Sequence, residues 1–201
     1  MHAAPGAARS LVRMTTTQCR RRISRAAFAA AIAIAAWPVQ GARAADTAAP
    51  CSAPEARQFD FWLGDWDAAW VSNDGKPARG TNRVEKILDG CVVAEAFDEA
   101  DPDQPLHGRS YSVWDAKAKL WRQTWVDNSG GYLDFAGGLE GDRMILRRNA
   151  TLADGRRTQQ RMIFYSIAGD RFDWDWERST DGGRSWELTW RIRYTRRASA
   201  P

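Results

Sequence analysis

Histidine is nearly absent from this chain: of 201 residues, only His2 and His107 carry an imidazole. A haem held by a late-chain histidine, a His-ligated zinc and a Ser-His-Asp triad all need that ring. Residues 108 to 201 contain none, and His107 falls in the segment DPDQPLHG, which reads as a solvated loop. Ser110 close by has neither the spacing nor the context of a nucleophile. Cysteine is equally scarce, with Cys19, Cys51 and Cys91 alone, so a His/Cys metal site has no ligand set. The acidic run FDEADPDQP lacks the sixth-position glycine and twelfth-position glutamate of a calcium loop, and Pro102 and Pro105 stand where ligands belong. No metal and no cofactor is expected. Long apolar runs are missing too: Ala26 to Trp37 holds twelve residues, too few to span a bilayer. After residue 57 no stretch sustains helical periodicity.

What is present begins with that short apolar run. Arg20, Arg21, Arg22 and Arg25 precede it, Pro38 breaks it, and Ala42-Arg43-Ala44 offers small residues at signal-peptidase spacing. Residues 1–44 therefore read as a cleaved signal peptide, with cleavage before Ala45 and a periplasmic or secreted product. Met14 is an alternative start. The stretch RRRIS resembles a twin-arginine signal, but Ser24 stands where a hydrophobic residue is wanted, and the general secretory route is preferred. The first 44 residues hold seven arginines and no acid. Removing those seven from 29 basic residues leaves 22 against 25 acidic ones, a net charge of −3. The basic character belongs to the leader. A nucleic-acid partner, which needs a basic stripe on the folded part, is not expected. Nor is a membrane once the leader is gone.

The remainder, roughly 155 residues, suits one domain with a real core. Residues 45–57 form an Ala/Pro-rich lead-in with a short helical turn, and 58–197 form the domain. Cys51 and Cys91 make an even pair, and in an exported chain they predict a disulfide across 40 residues. Turn signals rich in Gly, Asn and Asp recur every 8 to 14 residues, from SNDGKP at 72–77 to STDGG at 179–183. Between them apolar and polar residues alternate. Phe172, Trp174 and Trp176 share a face against Asp173, Asp175 and Glu177. Trp186, Leu188, Trp190, Ile192 and Tyr194 share another against Glu187, Thr189, Arg191 and Arg193. Segments 62–71, 78–88, 91–98, 109–115, 119–127, 131–138, 142–149, 156–167, 170–178 and 185–196 read as strands. The expected fold is an all-β, antiparallel up-and-down barrel of about ten strands, with a sandwich as the alternative.

Gly64-Asp65-Trp66 opens the first strand. Glycine lets the chain turn sharply, tryptophan plugs the closed end, and a late-strand arginine can stack on the indole. Arg191 and Arg193 are the candidates. Gly-x-Trp with such an arginine resembles the calycin superfamily, the lipocalins and their relatives. A closer resemblance is to a family of exported bacterial proteins defined as a domain of unknown function, from about Cys51 to Arg196. The pieces FDFWLGDWD, VEKILDGCVVAE, GRSYSVWD, WRQTWVD and STDGGRSW carry it. It implies a calycin-like barrel and no established reaction. Nitrobindin-like haem barrels open similarly, but haem is not expected without the late histidine. Asp60, Asp65 and Asp67 read as solvated or capping groups around the plug. Ser179, Asp181, Gly183 and Trp186 match the Asp-box of sialidases, a folded hairpin remote from chemistry. Met144 and Met162 read as core.

Polar residues within strands are the remaining candidates for a site. Glu85, Glu95, Gln123 and Arg161, with Tyr111 and Trp125 as contact area, would suit a small, partly apolar ligand if they point inward. Alternation alone leaves the inner face open. Binding in the barrel cavity is the expected function, with a small molecule as partner and the oligomeric state open. An isomerase, cyclase or hydrolase using Glu85 or Glu95 as a buried acid or base is one alternative. A structural module filled by its own tryptophans is the other.

Overall fold

The computed structural model describes residues 51–103 and 105–198; the expected signal segment lies outside the described residues. Two 3-10 turns, Pro54–Arg57 and Asp60–Trp62, precede ten strands. These are β1 (Gly64–Val71), β2 (Pro77–Ile87), β3 (Val92–Glu99), β4 (His107–Asp115) and β5 (Leu120–Asp127), then β6 (Tyr132–Glu140), β7 (Arg143–Thr151), β8 (Arg157–Tyr165), β9 (Arg171–Ser179) and β10 (Glu187–Arg196). Each strand pairs antiparallel with its sequence neighbour, and β1 also pairs with β10, closing the barrel. Closure leaves no unpaired edge. The sandwich alternative is excluded, and each strand boundary falls within two residues of the expected one. His107 is the first residue of β4 rather than a loop residue, and its Nδ1 lies 2.8 Å from Asp98 Oδ1.

Period-two patterning sets the inner face. Along β1, Trp66, Ala68 and Trp70 are buried while Asp65, Asp67 and Ala69 face solvent. β9 behaves as its sequence predicts, with Phe172, Trp174 and Trp176 turned inward and Asp175 outward, where Arg191 holds it at 2.7 and 2.6 Å. The pattern expected for β10 breaks. The register shifts between Leu188 and Trp190, so that the five apolar residues do not share one face. Trp190, Ile192 and Tyr194 enter the barrel, whereas Leu188 stays 45% exposed. Trp186 packs outside, 4.0 Å beneath the Arg161 guanidinium. A bulge adds one residue, and one residue reverses the facing of everything beyond it.

The lead-in closes one end of the barrel. Phe59 and Trp62 are buried there, with the Phe59 ring edge-on to Trp121 at 4.7 Å and Trp62 edge-on to Phe164 at 5.1 Å. Trp66 is wholly buried, contacts Phe172 at 4.8 Å and donates its indole N–H to the Trp62 carbonyl at 2.8 Å. The arginine stacked on Trp66 is Arg196, 4.1 Å from the ring, and not Arg191 or Arg193. Arg191 and Arg193 fall on the outward phase of β10 and pair with Asp175 and Asp173. Arg196 has the inward phase and is the direct cross-strand partner of Trp66. Its guanidinium also donates to the carbonyls of Leu63 (2.7 Å), Phe61 (3.4 Å) and Gly169 (2.8 Å). Gly64, at φ +123°, is required twice over: the backbone there disfavours a side chain, and a Cβ would overlap Arg196 Nη1.

The three aspartates around this plug serve as ion-pair partners or face water. Asp60 pairs with Arg57 and Lys86, Asp67 with Arg197, and Asp65 is exposed. The sulfurs of Cys51 and Cys91 lie at bonding distance and tie the chain just before the plug to the β2–β3 turn at the same end. At the opposite end the Asp-box folds the β9–β10 turn. Asp181 accepts the N–H groups of Arg184 and Ser185, each at 3.0 Å, and the Ser179 hydroxyl at 2.8 Å. The Ser185 N–H and hydroxyl, then Ser179, hold the Asp181 carboxyl well below the usual carboxylate range.

Arg196→Ala is expected to destabilise the fold by about 2–4 kcal/mol, through lost stacking and three unpaired carbonyls. Arg193→Ala should cost under about 1 kcal/mol, as exposed pairs do. Urea unfolding of both variants checks this, and equal midpoints would refute the assignment of the plug to Arg196. Reduction of the disulfide opens a 40-residue loop and should cost about 4 kcal/mol. Unfolding with and without reductant measures it.

Candidate functional site

Above the plug the barrel is hollow. A cavity of about 530 Å³ runs from a rim at Ser72, Asn73, Glu99 and Asp127 down to Trp62 and Phe164. Its walls differ in chemistry, and strand phase explains why.

One wall has a polar side: Glu95 and Gln123 line the cavity, and Asn82, Ser110 and Ser112, buried on the inward phases of β2 and β4, join them. Register brings them together: Glu95 is the cross-strand partner of Ser110, and Ser112 of Gln123. The Glu95 carboxylate accepts from Asn82 Nδ2 at 2.8 Å and from the Ser110 hydroxyl at 2.6 Å. Gln123 Nε2 in turn donates to the Ser110 and Ser112 oxygens at 3.3 and 3.0 Å. Burial pushes the Glu95 carboxyl up to about 7, against the opposing pull of Ser110, Asn82 and the Arg109 charge. Tyr194, from β10, is raised well above the ordinary phenol range by burial and by the nearby Glu95 charge, with Asn82 opposing. The phenol stays neutral, while the carboxyl can change charge near neutral pH. In its ionised form it accepts; protonated, it also donates.

The other walls are aromatic. Trp70, Phe97, Trp125, Trp174, Trp176 and Trp190 line the cavity. Trp190 stands edge-on to Trp70 at 5.4 Å and to Trp174 at 5.6 Å. Trp125 is held rigidly. Its indole N–H donates to Asp127 Oδ2 at 2.9 Å, and its ring lies on Gly108, where a Cβ would overlap it. The Ser129 hydroxyl, then Trp125 itself, holds the Asp127 carboxyl down at about 2. At the floor Trp62 is 2% exposed, and its indole N–H has no hydrogen-bond partner among the described residues. A buried donor left in that condition costs about 1–3 kcal/mol.

Of the six candidate site residues, Glu95, Gln123 and Trp125 point inward together. Glu85, Tyr111 and Arg161 do not. Glu85 sits on the outer face beside Arg83 at 3.6 Å, and Tyr111 is half exposed. Arg161 is outside as well, paired with Glu177 at 2.6 Å. Each lies one residue out of phase with an inward neighbour: Val84, Ser110 and Met162. Sequence reasoning missed Asn82, Ser112 and Tyr194 and rejected Ser110 as a nucleophile without considering it as a hydrogen-bond donor. The available signal was the phase of β1: once Trp66 is set inward, hairpin register propagates the inner face to Asn82, Glu95 and Ser110. Among the described residues no group of His, Cys, Asp and Glu converges as metal ligands.

No family model matches the chain, and no curated protein matches it significantly. Solved structures of similar fold include a redesigned β-barrel, 10% identical with TM-score 0.39, covering 71% of this chain and 96% of that one. EF1p2_mFAP2b bound to DFHBI is 12% identical with TM-score 0.39, covering 71% and 99%. The S-type phycobiliprotein lyase CPES from Guillardia theta is 8% identical with TM-score 0.45, covering 71% and 92%. The likeness is one of barrel fold alone.

Glu95 predicts a pH dependence of stability. Its carboxyl titrates near 4.5 unfolded and at about 7 folded, so the folded chain binds more protons between these values. Its stabilising contribution is complete below about 4.5, declines as pH rises to about 7 and is flat above. The span is at most about 3 kcal/mol. Glu95→Gln should remove this component and be the more stable protein at pH 8. Parallel stability–pH profiles for the two proteins across pH 4–8 would show that burial leaves the Glu95 carboxyl titrating as it does in the unfolded chain.

Proposed function

We propose that this chain is an exported, calycin-like barrel that binds a small, partly apolar molecule in its cavity and holds it for sequestration or delivery. The observation that carries the reading is the buried Glu95 network facing a hollow, aromatic-walled interior. Even with Asn82 and Ser110 donating to it, burial leaves the Glu95 carboxyl raised to about 7, a loss of stability at neutral pH for which a self-filled barrel has no use. A volume of about 530 Å³ also falls in the range of small-molecule sites, which are mostly apolar with a few placed polar groups. Both points speak against the self-filled module. Export is supported by the arginine-led apolar segment with its Ala-x-Ala site and by a cysteine pair at bonding distance, which suits an oxidising compartment.

In this reading the aromatic walls supply contact area, and Glu95 fixes orientation. The blind floor formed by Phe59, Trp62 and Trp66 makes the rim the route in. A second reading, general acid–base catalysis on the bound molecule, is favoured by one observation: a carboxyl poised at about 7 inside a cavity. Glu85, exposed on the outer face, drops out of that alternative.

The uncharged fluorophore Nile red is expected to bind one-to-one and saturably, with quenching of tryptophan emission. Leu133→Trp, which adds bulk at a lining position, should weaken it at least about ten-fold, or 1.4 kcal/mol. Absence of saturable binding would remove the cavity reading. Native mass spectrometry of protein from the periplasm should show a co-purified small molecule, and its recovery unchanged after long incubation would count against catalysis.

A further inference from the structure

We propose that the cavity selects an organic cation, an amine or quaternary ammonium carried on an apolar body; this rests on the cavity being the ligand site. The charges along its lining all have one sign. Among the described lining residues are the carboxylates Glu95, Glu99 and Asp127, and none is Lys, Arg or His. Neutral groups hydrogen-bond these carboxylates. Leu106 N–H serves Glu99 at 3.3 Å; the Trp125 indole, the Ser129 hydroxyl and the Gly131 N–H serve Asp127; Asn82 and Ser110 serve Glu95. Such donors orient a carboxylate without cancelling its charge.

Three arginines of the strands have partners of their own, although the Nε groups of Arg148 and Arg178 are buried without a hydrogen-bond partner among the described residues. Arg109 donates to Asp98 and to the Phe97 carbonyl from the outer face of β4. Arg178 pairs with Glu187 at 2.7 Å. Arg148, on the same phase of β7 as the core residues Met144 and Leu146, donates to Gln160 at 2.6 Å and lies 5.8 Å over Phe135, and it is not among the lining residues. An anion entering the cavity would meet three like charges and no cation among the lining residues. A neutral molecule offers the Glu95 carboxylate no counter-charge and so does not favour its ionised form. A cation satisfies Glu95, and the Trp70, Trp125, Trp174, Trp176 and Trp190 rings offer the quadrupoles that attract cations with apolar bodies. The two rim carboxylates draw the same sign toward the mouth.

A linked proton gives the inference a signature. The groups facing Glu95 are Asn82 from β2, Ser110 and Arg109 from β4, Gln123 from β5 through Ser110, and Tyr194 from β10, which stays neutral. A cation beside the carboxyl favours its ionised form. Near neutral pH, therefore, protonated Glu95 and a free cation become a carboxylate–cation pair and one proton released to solvent, so charge and protons balance.

The test compares benzyltrimethylammonium, its uncharged isostere neopentylbenzene and the anion 4-phenylbutanoate by calorimetry and tryptophan quenching. At pH 8 the cation should bind at least about ten-fold tighter than the isostere, and the anion weakest. The preference should shrink below pH 6. Glu95→Gln should abolish most of it while leaving the isostere within about two-fold. Calorimetry of the unmodified protein at pH 7 in buffers of different ionisation enthalpy should report proton release with the cation and none with the isostere. A cation that binds no tighter than the isostere, or binds without releasing protons, overturns the inference and leaves the cavity reading standing. If no probe binds, both fall.

Discussion

The floor of the barrel depends on one stacked pair, the Arg196 guanidinium over the Trp66 indole. The pair joins the first strand to the last, where closure has to be secured against the entropy of bringing distant residues together. It also satisfies backbone carbonyls of the lead-in, so the same cation that seals the sheet holds the plug. Gly64 permits both, because only a residue without a Cβ leaves room for the guanidinium. The cysteine pair fastens the chain upstream of the plug to the same end. Disorder is thereby removed where the floor must exclude water, while the rim turns at the other end are left free of that constraint.

A sealed floor gives the interior its electrostatic character. With water excluded from below and aromatic rings on the walls, the Glu95 carboxyl is desolvated enough to titrate near neutrality, though three polar side chains surround it. Asp127 at the rim shows the opposite balance: a full set of donors and more water keep it ionised far below neutral pH. Two carboxyl groups of one cavity thus differ by about 5 pK units, from about 7 to about 2, by depth and hydrogen bonding. That gradient makes charge recognition at depth compatible with an ionised, solvated entrance.

Much of this was legible from residues alone, and the limits have particular causes. Strand boundaries follow from turn residues and alternation, both local properties, and they agree with the structure throughout. The Asp-box and the Gly-x-Trp turn are likewise local, because their hydrogen bonds close within a few residues. The stacked arginine was misplaced because Arg191, Arg193 and Arg196 differ only in phase. Choosing among them requires the β1–β10 register, a contact across 130 residues of chain. Leu188 was misplaced for a related reason, since a bulge leaves the composition of a strand unchanged while reversing its facing.

Gln123 and Trp125 were recognisable as chemistry-bearing residues, and so was Glu95, but equally so were Glu85, Tyr111 and Arg161. The sequence by itself determined a closed, antiparallel, all-β barrel with a plugged first strand, because period two, turn spacing and the conformational needs of Gly64 are written in neighbouring residues. Only the tertiary structure decided which carboxylate is buried and which arginine stacks, and that the tryptophans leave a hollow rather than fill it. Those outcomes depend on the phase of every strand relative to a common axis. A single inserted residue changes that phase without altering any local signal.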